Sequence, residues 1–427
     1  MKAEYEKLIS ERGLKLYFSN MKTKTSSRRW YQHDIDVIVY SEMFRKMQRK
    51  SQLLSIHDPV SRSRLIHTFE VVRIAKEISE KLNLNTELTE AIALAHDFGN
   101  VAYGKTADDF LQEKTEHKFK HELASVLMLK VCSSRIIPDE YREIAKEAIS
   151  KDPTISHNIK IAEYPYDIEV YQYKKDIYYI CISPEVIDGV GKHGTSMPAL
   201  TLEGQVVNYA DNIAYLIQDI SDFEATGIFD RQTRERYERS LSHLVSYDAN
   251  KKHPITGIVG KTTSMRTATL IERFISYNLE LFRSGDHKKI FSSILNHDIP
   301  ILEIEPLVKK AIDCCWNFKK EFYDYDLIKI SNVASQCKME QLWDILKKDS
   351  SFIEKNKTYT EFEKMLSAPI FKSFRQINDI TKDLDWENWM KAFFVSHLTC
   401  DDIDLIINSV LSRDYVFDLS LPKINRE

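Results

Sequence analysis

Four residues form a candidate ligand set for a cation: His67, the adjacent pair His96 and Asp97, and Asp211. Imidazole nitrogen combined with carboxylate oxygen suits manganese, iron, magnesium or zinc in varying degree. Two histidines and two aspartates leave coordination positions for water and a phosphate oxygen. A cation held this way lowers the pKa of bound water and neutralises charge developing on phosphorus. A His-Asp dipeptide alone says little, because the chain also contains His33-Asp34, His57-Asp58 and His297-Asp298. Context sets His96-Asp97 apart. It closes an apolar stretch, Ala91-Ile-Ala-Leu-Ala95, just before Gly99, while His67 opens the preceding helix and Asp211 lies inside a later one. The bland alternative is that the four are helix caps and core polar residues.

The elements that must position these residues read mostly as helices. Phe69, Val72, Ala75, Ile78 and Leu82 recur at near-helical spacing over 68–82. Thr86 reads as the N-cap of the next helix, with Glu87 and Glu90 in its first turn and a stop at Gly99. Segments 1–20, 35–54, 123–131, 141–149 and 205–221 also predict helices. Ile168–Tyr173 and Ile177–Ile182 are β-branched and aromatic and predict a small β-hairpin around Lys174–Asp176. The charged stretch Gly104–His121 reads as a loop or lid, and the glycine-rich Asp188–Glu203 and Tyr247–Ser264 read as loops. A polar, basic stretch occupies Lys22–Arg29. The C-terminal third is helical and amphipathic without a motif, and no internal repeat is present.

At 427 residues, the chain suits one large or two intimately packed domains. It is 43% hydrophobic and 29% charged, as expected of a globular protein, and its 11 Gly and 11 Pro favour long helices with short connections. The net charge of -4 asks for neither nucleic acid nor an anionic membrane as partner. Six scattered cysteines without a CxxC pair suggest reduced thiols in a cytoplasmic protein. No stretch of about 18 apolar residues and no apolar N-terminal run argue against a membrane span or signal peptide. Gly257-Ile-Val-Gly-Lys-Thr262 lacks the first glycine of a P-loop, since Ile255 stands there.

Three segments carry a family resemblance. Tyr31–Gln52, with Phe44-Arg-Lys-Met-Gln-Arg-Lys-Ser-Gln52, resembles an N-terminal "FRRLQ-K-TQ" block. Arg62-Ser-Arg-Leu-Ile-His-Thr-Phe-Glu-Val71 is similar to "RTRLTHSLEV". Glu203–Asp222, containing Ala210-Asp-Asn-Ile-Ala-Tyr215, is similar to an "E-Q-ADDIAY---D--D" block. In this order, over roughly residues 30–225, they resemble the HD-superfamily deoxynucleoside triphosphate triphosphohydrolase (dGTPase-like) family. The resemblance implies a mainly α fold, with a helical HD core, additional C-terminal helices and the one small hairpin near 168–182. It implies an HD domain with N-terminal helices over 1–245 and a C-terminal helical region over 246–427. It also implies hydrolysis of a deoxynucleoside triphosphate to deoxynucleoside and inorganic triphosphate. A divalent metal (Mn, Mg or Fe, with Zn also suited) activates water for attack on the α-phosphorus. Members often form homo-oligomers, and some bind single-stranded nucleic acid, for which this chain's composition gives no support.

By motif position, His67, His96, Asp97 and Asp211 match the family's metal ligands. Arg64 matches a phosphate-contacting arginine, and a guanidinium suits that task through bidentate bonding. Asp211, Tyr215 and Asp219 stand at i, i+4 and i+8 on one side of a helix and match positions for metal, phosphate and the sugar 3′-hydroxyl. Gln52 matches a glutamine near the sugar, and His121 a histidine near the phosphates. The chain departs from the family's "HDLGHPPFGHxGE". Asn100 replaces the first of its two further histidines, Lys105 replaces the second, and Asp108 keeps the carboxylate. The second histidine is the family's general acid. Lysine holds its proton more tightly than imidazole and donates it less readily near neutral pH, although Lys105 can still stabilise negative charge. Three readings stay open: an active triphosphohydrolase using His121 or Lys105 as acid, an HD phosphohydrolase acting on another nucleotide, or a nucleotide-binding regulatory or defence protein with weakened catalysis.

Overall fold

A computed structural model describes residues 30–52, 62–153, 156–161, 164, 166–225, 231–232, 235, 263–283, 302–322, 325–348 and 383–411. The expected helix over 1–20, the basic stretch 22–29, most of the loop 247–264, His57-Asp58, His297-Asp298 and the segment 257–262 lie outside them. The helices are α1 (Trp30–Val39), α2 (Glu42–Lys46), α3 (Arg64–Lys81), α4 (Thr86–Ala95), α5 (Gly104–Lys114), α6 (His121–Cys132) and α7 (Arg142–Lys151). They continue with α8 (Pro184–Lys192), α9 (Leu202–Ala225), α10 (Thr263–Arg283), α11 (Pro306–Phe322), α12 (Asp326–Lys348), α13 (Asp383–His397) and α14 (Cys400–Leu411). The strands are β1 (Ser134–Ile136), β2 (His157–Ile159), β3 (Ile168–Tyr173) and β4 (Asp176–Ile180). Among the described residues the protein is therefore mainly α with one small sheet.

Contacts group the chain into two compact units. The first draws its described residues from Gln52–His96 and Glu185–Asn332, the second from Met21–Ser51, Asp97–Pro184 and Val333–Glu427. In the first unit α3, α4 and α9 pack on one another, and α10 and α11 pack on α9. Val71, Ile74 and Ile78 recur at three- and four-residue spacing along α3 and are buried, as are Leu88 and Ile92 of α4 and Val206 and Ile213 of α9, the helices packed against it. Polar ties set the helix ends. The Asn85 side chain accepts from Glu87 N and Leu88 N, both at 3.0 Å, so Asn85 rather than Thr86 caps α4. The Glu203 carboxylate in turn accepts from Asn85 N at 2.9 Å. Arg62 bonds Glu70 in α3 and, at 2.7 Å, Asp222 in α9, which fixes the two long helices against sliding.

In the second unit the expected hairpin exists as β3 and β4, turning at Lys174 with φ 55°. It is the centre of a four-stranded antiparallel sheet in the order β1-β4-β3-β2. The two flanking strands have only three residues each, too short to show an alternating pattern. Helix α7 lies on this sheet over a core of Ile137, Ala145, Ile149, Ile159, Ile168, Val170 and Ile177. The single helix expected over 35–54 is broken at Ser41, whose hydroxyl donates to Ile38 O at 2.7 Å and accepts from Phe44 N at 3.1 Å, ending α1 and starting α2.

One expected loop is largely helical, and another is helical at its start. Most of Gly104–His121 is α5, whose buried side carries Ala107, Phe110 and Leu111 beneath a charged outer side that masks the helical period. Only 115–120 stays irregular, with Glu116 and His117 at positive φ. Asp188–Lys192 completes α8, and its glycine at 189 marks a close approach rather than a turn, while 193–201 is non-helical as expected.

Asp34, in α1, is fully buried, with its carboxylate accepting from Ser183 N at 3.3 Å and lying 3.9 Å from His33 Nδ1. Burial pushes its carboxyl up, against the hydrogen bonds of His33 and Ser183 that pull it down. A carboxyl raised in the folded state is protonated more readily there than in the unfolded chain. Its contribution to stability is complete below the ordinary value of 3.8 and is lost as pH rises through the raised value. Asp34→Asn is therefore expected to raise the melting temperature at neutral pH, with the gain shrinking as pH falls toward 4. Melting curves across that range check it, and a variant less stable than the native protein at every pH would sink the argument.

Candidate metal centre

Three helices of the first unit bring the centre together. His67 sits one turn into α3, after Ser63 has capped it by accepting from Ile66 N at 3.4 Å. His96 follows the last residue of α4, and Asp211 lies within α9. His67 Nε2 is 2.9 Å from Asp211 Oδ1, and His96 Nε2 is 3.7 Å from the same oxygen. Both histidines are buried. His96 Nδ1 donates to Ala93 O at 2.7 Å, since a carbonyl only accepts, so Nε2, the atom turned towards Asp211, is the nitrogen left for a cation. Burial acts to raise the Asp211 carboxyl, but the imidazoles of His67 and His96 outweigh it and hold it well below the usual carboxylate range. Donors sharing one cation through bonds of about 2.1 Å stand roughly 3.0–3.4 Å apart, close to the two spacings here. The donor set, two imidazole nitrogens, one of them oriented by a backbone carbonyl, and a carboxylate, fits a divalent cation.

Asp97 is joined to His96 by the chain and opens the turn that belongs to the second unit. It is buried, its Oδ1 accepts from the Asn100 amide, and Asn100 N donates to its carbonyl at 3.2 Å. Thus Asn100, which stands where the resembled family has histidine, holds the aspartate in place. The turn is fixed from two sides. Lys50, 2% exposed, donates from Nζ to Phe98 O at 3.2 Å, Asn100 O at 2.7 Å and Ser396 O at 2.7 Å. Gly99 N donates to Ser125 Oγ at 2.8 Å, and a Cβ on Gly99 would lie 2.3 Å from His121 O and 2.5 Å from Ser125 N. Gly99 thus does more than stop a helix. It lets the turn rest on the start of α6, where His121 stands.

The other sequence-derived candidates fall as follows. His121 is the first residue of α6 and partly exposed, with Nδ1 3.6 Å from Glu122 Oε2. Burial pushes the Asp108 carboxyl up, while the nearby His121 and a 2.7 Å hydrogen bond from Gln112 pull it down. Lys105 is on the exposed side of α5, paired with Asp109 at 2.8 Å. In the first unit Arg64 begins α3, half-buried. Gln52 is buried, and neither its amide oxygen nor its amide nitrogen has a hydrogen-bond partner among the described residues. Tyr215 lies half-buried one turn after Asp211, its ring 5.0 Å from that of Trp316 in α11. Asp219 is one further turn along α9, and its side chain lies outside the described residues. Sequence reasoning missed His193, a fully buried histidine whose ring is 5.2 Å from that of His96. The available signal was a histidine four residues after a glycine, in a stretch assigned to a loop.

Residues 64–216 match the family model described as HD domain. A Clostridium tetani protein named deoxyguanosinetriphosphate triphosphohydrolase-like protein is 28% identical over 253 residues, covering 59% of this chain and 58% of that one. One of the same name from Desulfatibacillum aliphaticivorans is 32% identical over 212 residues, covering 47% and 49%. Another from Bartonella quintana is 25% identical over 347 residues, covering 77% and 80%. The match thus spans about half the length of the first two of these relatives. The family resemblance read from the three sequence blocks holds.

The Gly99 geometry carries a prediction. Gly99→Ala places a methyl group against backbone atoms that cannot swing aside. We expect a loss of about 1–3 kcal/mol from overpacking, read as a lower denaturant midpoint with an unchanged slope. A variant as stable as the native protein would mean that the turn does not rest on α6.

Proposed function

Because the chain carries an HD domain and is similar to deoxyguanosinetriphosphate triphosphohydrolase-like proteins, we propose that it is a metal-dependent phosphohydrolase that splits deoxynucleoside triphosphates into deoxynucleoside and triphosphate. The observation that carries this reading is the convergence of His67 and His96 on one Asp211 oxygen. In this reading His67, His96, Asp97 and Asp211 hold a divalent cation. When bound, that cation supplies Lewis acidity towards phosphate and an acidified water.

The chain's own residues do the rest. Arg64 offers a guanidinium to the phosphates, whose planar fork matches two phosphate oxygens at once. Gln52 offers a buried amide with both ends unmatched among the described residues. Such a group stabilises a sugar hydroxyl strongly, because without a ligand its desolvation goes uncompensated. Tyr215 and Asp219 follow Asp211 along one side of α9, suited to a phosphate and the 3′-hydroxyl. His121 is the group placed to give a proton to the leaving 5′ oxygen, with the raised Asp108 carboxyl beside it as its partner. Lys105, engaged with Asp109 on an exposed helix side, contributes charge rather than a proton.

Incubation with a panel of deoxynucleoside triphosphates and Mn, Mg or Fe is expected to release triphosphate, identified by chromatography. Asp211→Ala is expected to abolish it. No hydrolysis of any nucleotide with any of these metals, mixtures of nucleotides included, would sink the reading. Release of phosphate or pyrophosphate instead would assign the protein to another nucleotide phosphohydrolase.

One observation favours a second reading, nucleotide binding with weakened turnover. Asn100 is committed to Asp97 and Lys105 to Asp109, so neither position offers an imidazole to the leaving group. Lys105→His separates the two readings. A rise in kcat of tenfold or more, within the range of a restored general acid, would show that the acid had been lost. Unchanged or reduced turnover would leave His121 as the donor.

A further inference from the structure

Helices α4 and α8 are built alike at their C-terminal ends. In α4, Ile92 stands four residues before His96, and in α8, Gly189 stands four residues before His193. These two positions meet. A Cβ on Gly189 would lie 2.6 Å from Ile92 Cδ1 and 2.9 Å from its Cγ1 and Cγ2. Only a residue without a side chain allows this approach. Positions four apart share a helix face, so the contact at Ile92 and Gly189 delivers the next turn of each helix, His96 and His193, to the same place. Their rings meet edge to face, with centroids 5.2 Å apart and an interplanar angle of 87°.

The two histidines also share a hydrogen-bonding device. His96 Nδ1 donates to Ala93 O at 2.7 Å, and His193 Nδ1 donates to Val190 O at 2.6 Å, each three residues back. In both rings the Nδ1 contact leaves Nε2 as the nitrogen available to a cation, in the backbone orientation that a metal-binding histidine takes. The His67 ring lies 5.8 Å from that of His96. Imidazoles bound to a common cation through Nε2 bonds of about 2.1 Å have centroids roughly 4.5–6 Å apart, and both separations fall in that range. His193 is only 1% exposed. If packing were all this position needed, an apolar side chain would meet it without desolvating a polar ring.

We propose that His193 is a further ligand of the divalent-metal centre, giving it a third imidazole. The proposal rests on reading His67, His96, Asp97 and Asp211 as metal ligands. Its consequence is selectivity. Each added nitrogen donor shifts a site from magnesium, which prefers oxygen, towards manganese, iron and later transition metals.

The full-length protein is titrated with Mn²⁺ alone, then with Mg²⁺ alone. The native protein is expected to bind Mn²⁺ the more tightly. His193→Gln is expected to weaken Mn²⁺ binding by roughly tenfold or more while changing Mg²⁺ binding much less, and to alter the visible spectrum of the Co²⁺-loaded protein. A second measurement needs no variant to fold: in the native protein with ¹⁵N-labelled histidine, Zn²⁺ is expected to shift the His193 Nε2 resonance. Native Mn²⁺ binding that Asp211→Ala weakens, together with an unmoved His193 resonance or an unchanged His193→Gln isotherm, would leave the metal centre standing and overturn the role of His193. No metal uptake by the native protein would overturn both.

Discussion

Asp211, half-buried, places one carboxylate oxygen against two buried imidazoles. A carboxylate partly withdrawn from water is unfavourable unless it is paired and hydrogen-bonded. Here the pairing requires three helix segments to hold a common register: α3 for His67, the end of α4 for His96, and α9 for Asp211. Much of the polar architecture of the first unit serves that register. Arg62 bridges α3 and α9, and Glu203, at the start of α9, bonds the backbone just before α4. Gln205 adds a tie further along, accepting from Leu302 N at 3.0 Å and donating to Ala199 O at 2.9 Å. The apolar core packs the helices, but apolar contacts are non-directional. These bonds are what set the helices in fixed alignment.

In the second unit a comparable constraint acts on the turn after His96. A buried ammonium is tolerated only when its donors are met, and Lys50 meets them with three carbonyls, two from the turn and one from the end of α13. Further bonds join the same stretch to the chain around Cys400. Cys400 Sγ donates to Ala102 O at 3.2 Å, and Tyr103 OH donates to Asp404 Oδ1 at 3.2 Å. The C-terminal helices, which carry no chemical motif, are thus bonded to the segment that bears Asp97. Their contribution is to immobilise it.

This division explains what could be read from the sequence. His67, His96 and Asp211 were legible because they combine a rare residue type with a helical setting, and the structure brings all three together. The hairpin was legible because both its strands are long enough to alternate. The helix α5 was not, since its buried residues are spaced among charges that dominate its composition. The second half of α8 was misread because glycine signals a turn in sequence, whereas Gly189 answers a contact with Ile92, a residue almost a hundred positions away. Lys50 was likewise indistinguishable from the other cations of Arg45–Lys50. Arg49 from that run bonds Asp401 at the surface, while Lys50 is buried among carbonyls. No local pattern separates the two, because the difference lies in partners distant along the chain.

The same reasoning bears on the two replaced histidines. A histidine next to an aspartate ligand can donate a hydrogen bond, and so can an asparagine, but only the histidine also changes charge near neutral pH. Asn100 keeps the bond to Asp97 and gives up the titration. At position 105 the substitution is more drastic, because the lysine turns to Asp109 and takes up an exposed helix pair of the kind that contributes little. Its loss is therefore not offset by a new interaction of comparable strength at that position. What remains near the turn is His121, brought there by the same close approach that requires glycine at 99. In the proposed reading, the proton donor is therefore held near the turn by a backbone contact between the turn and α6.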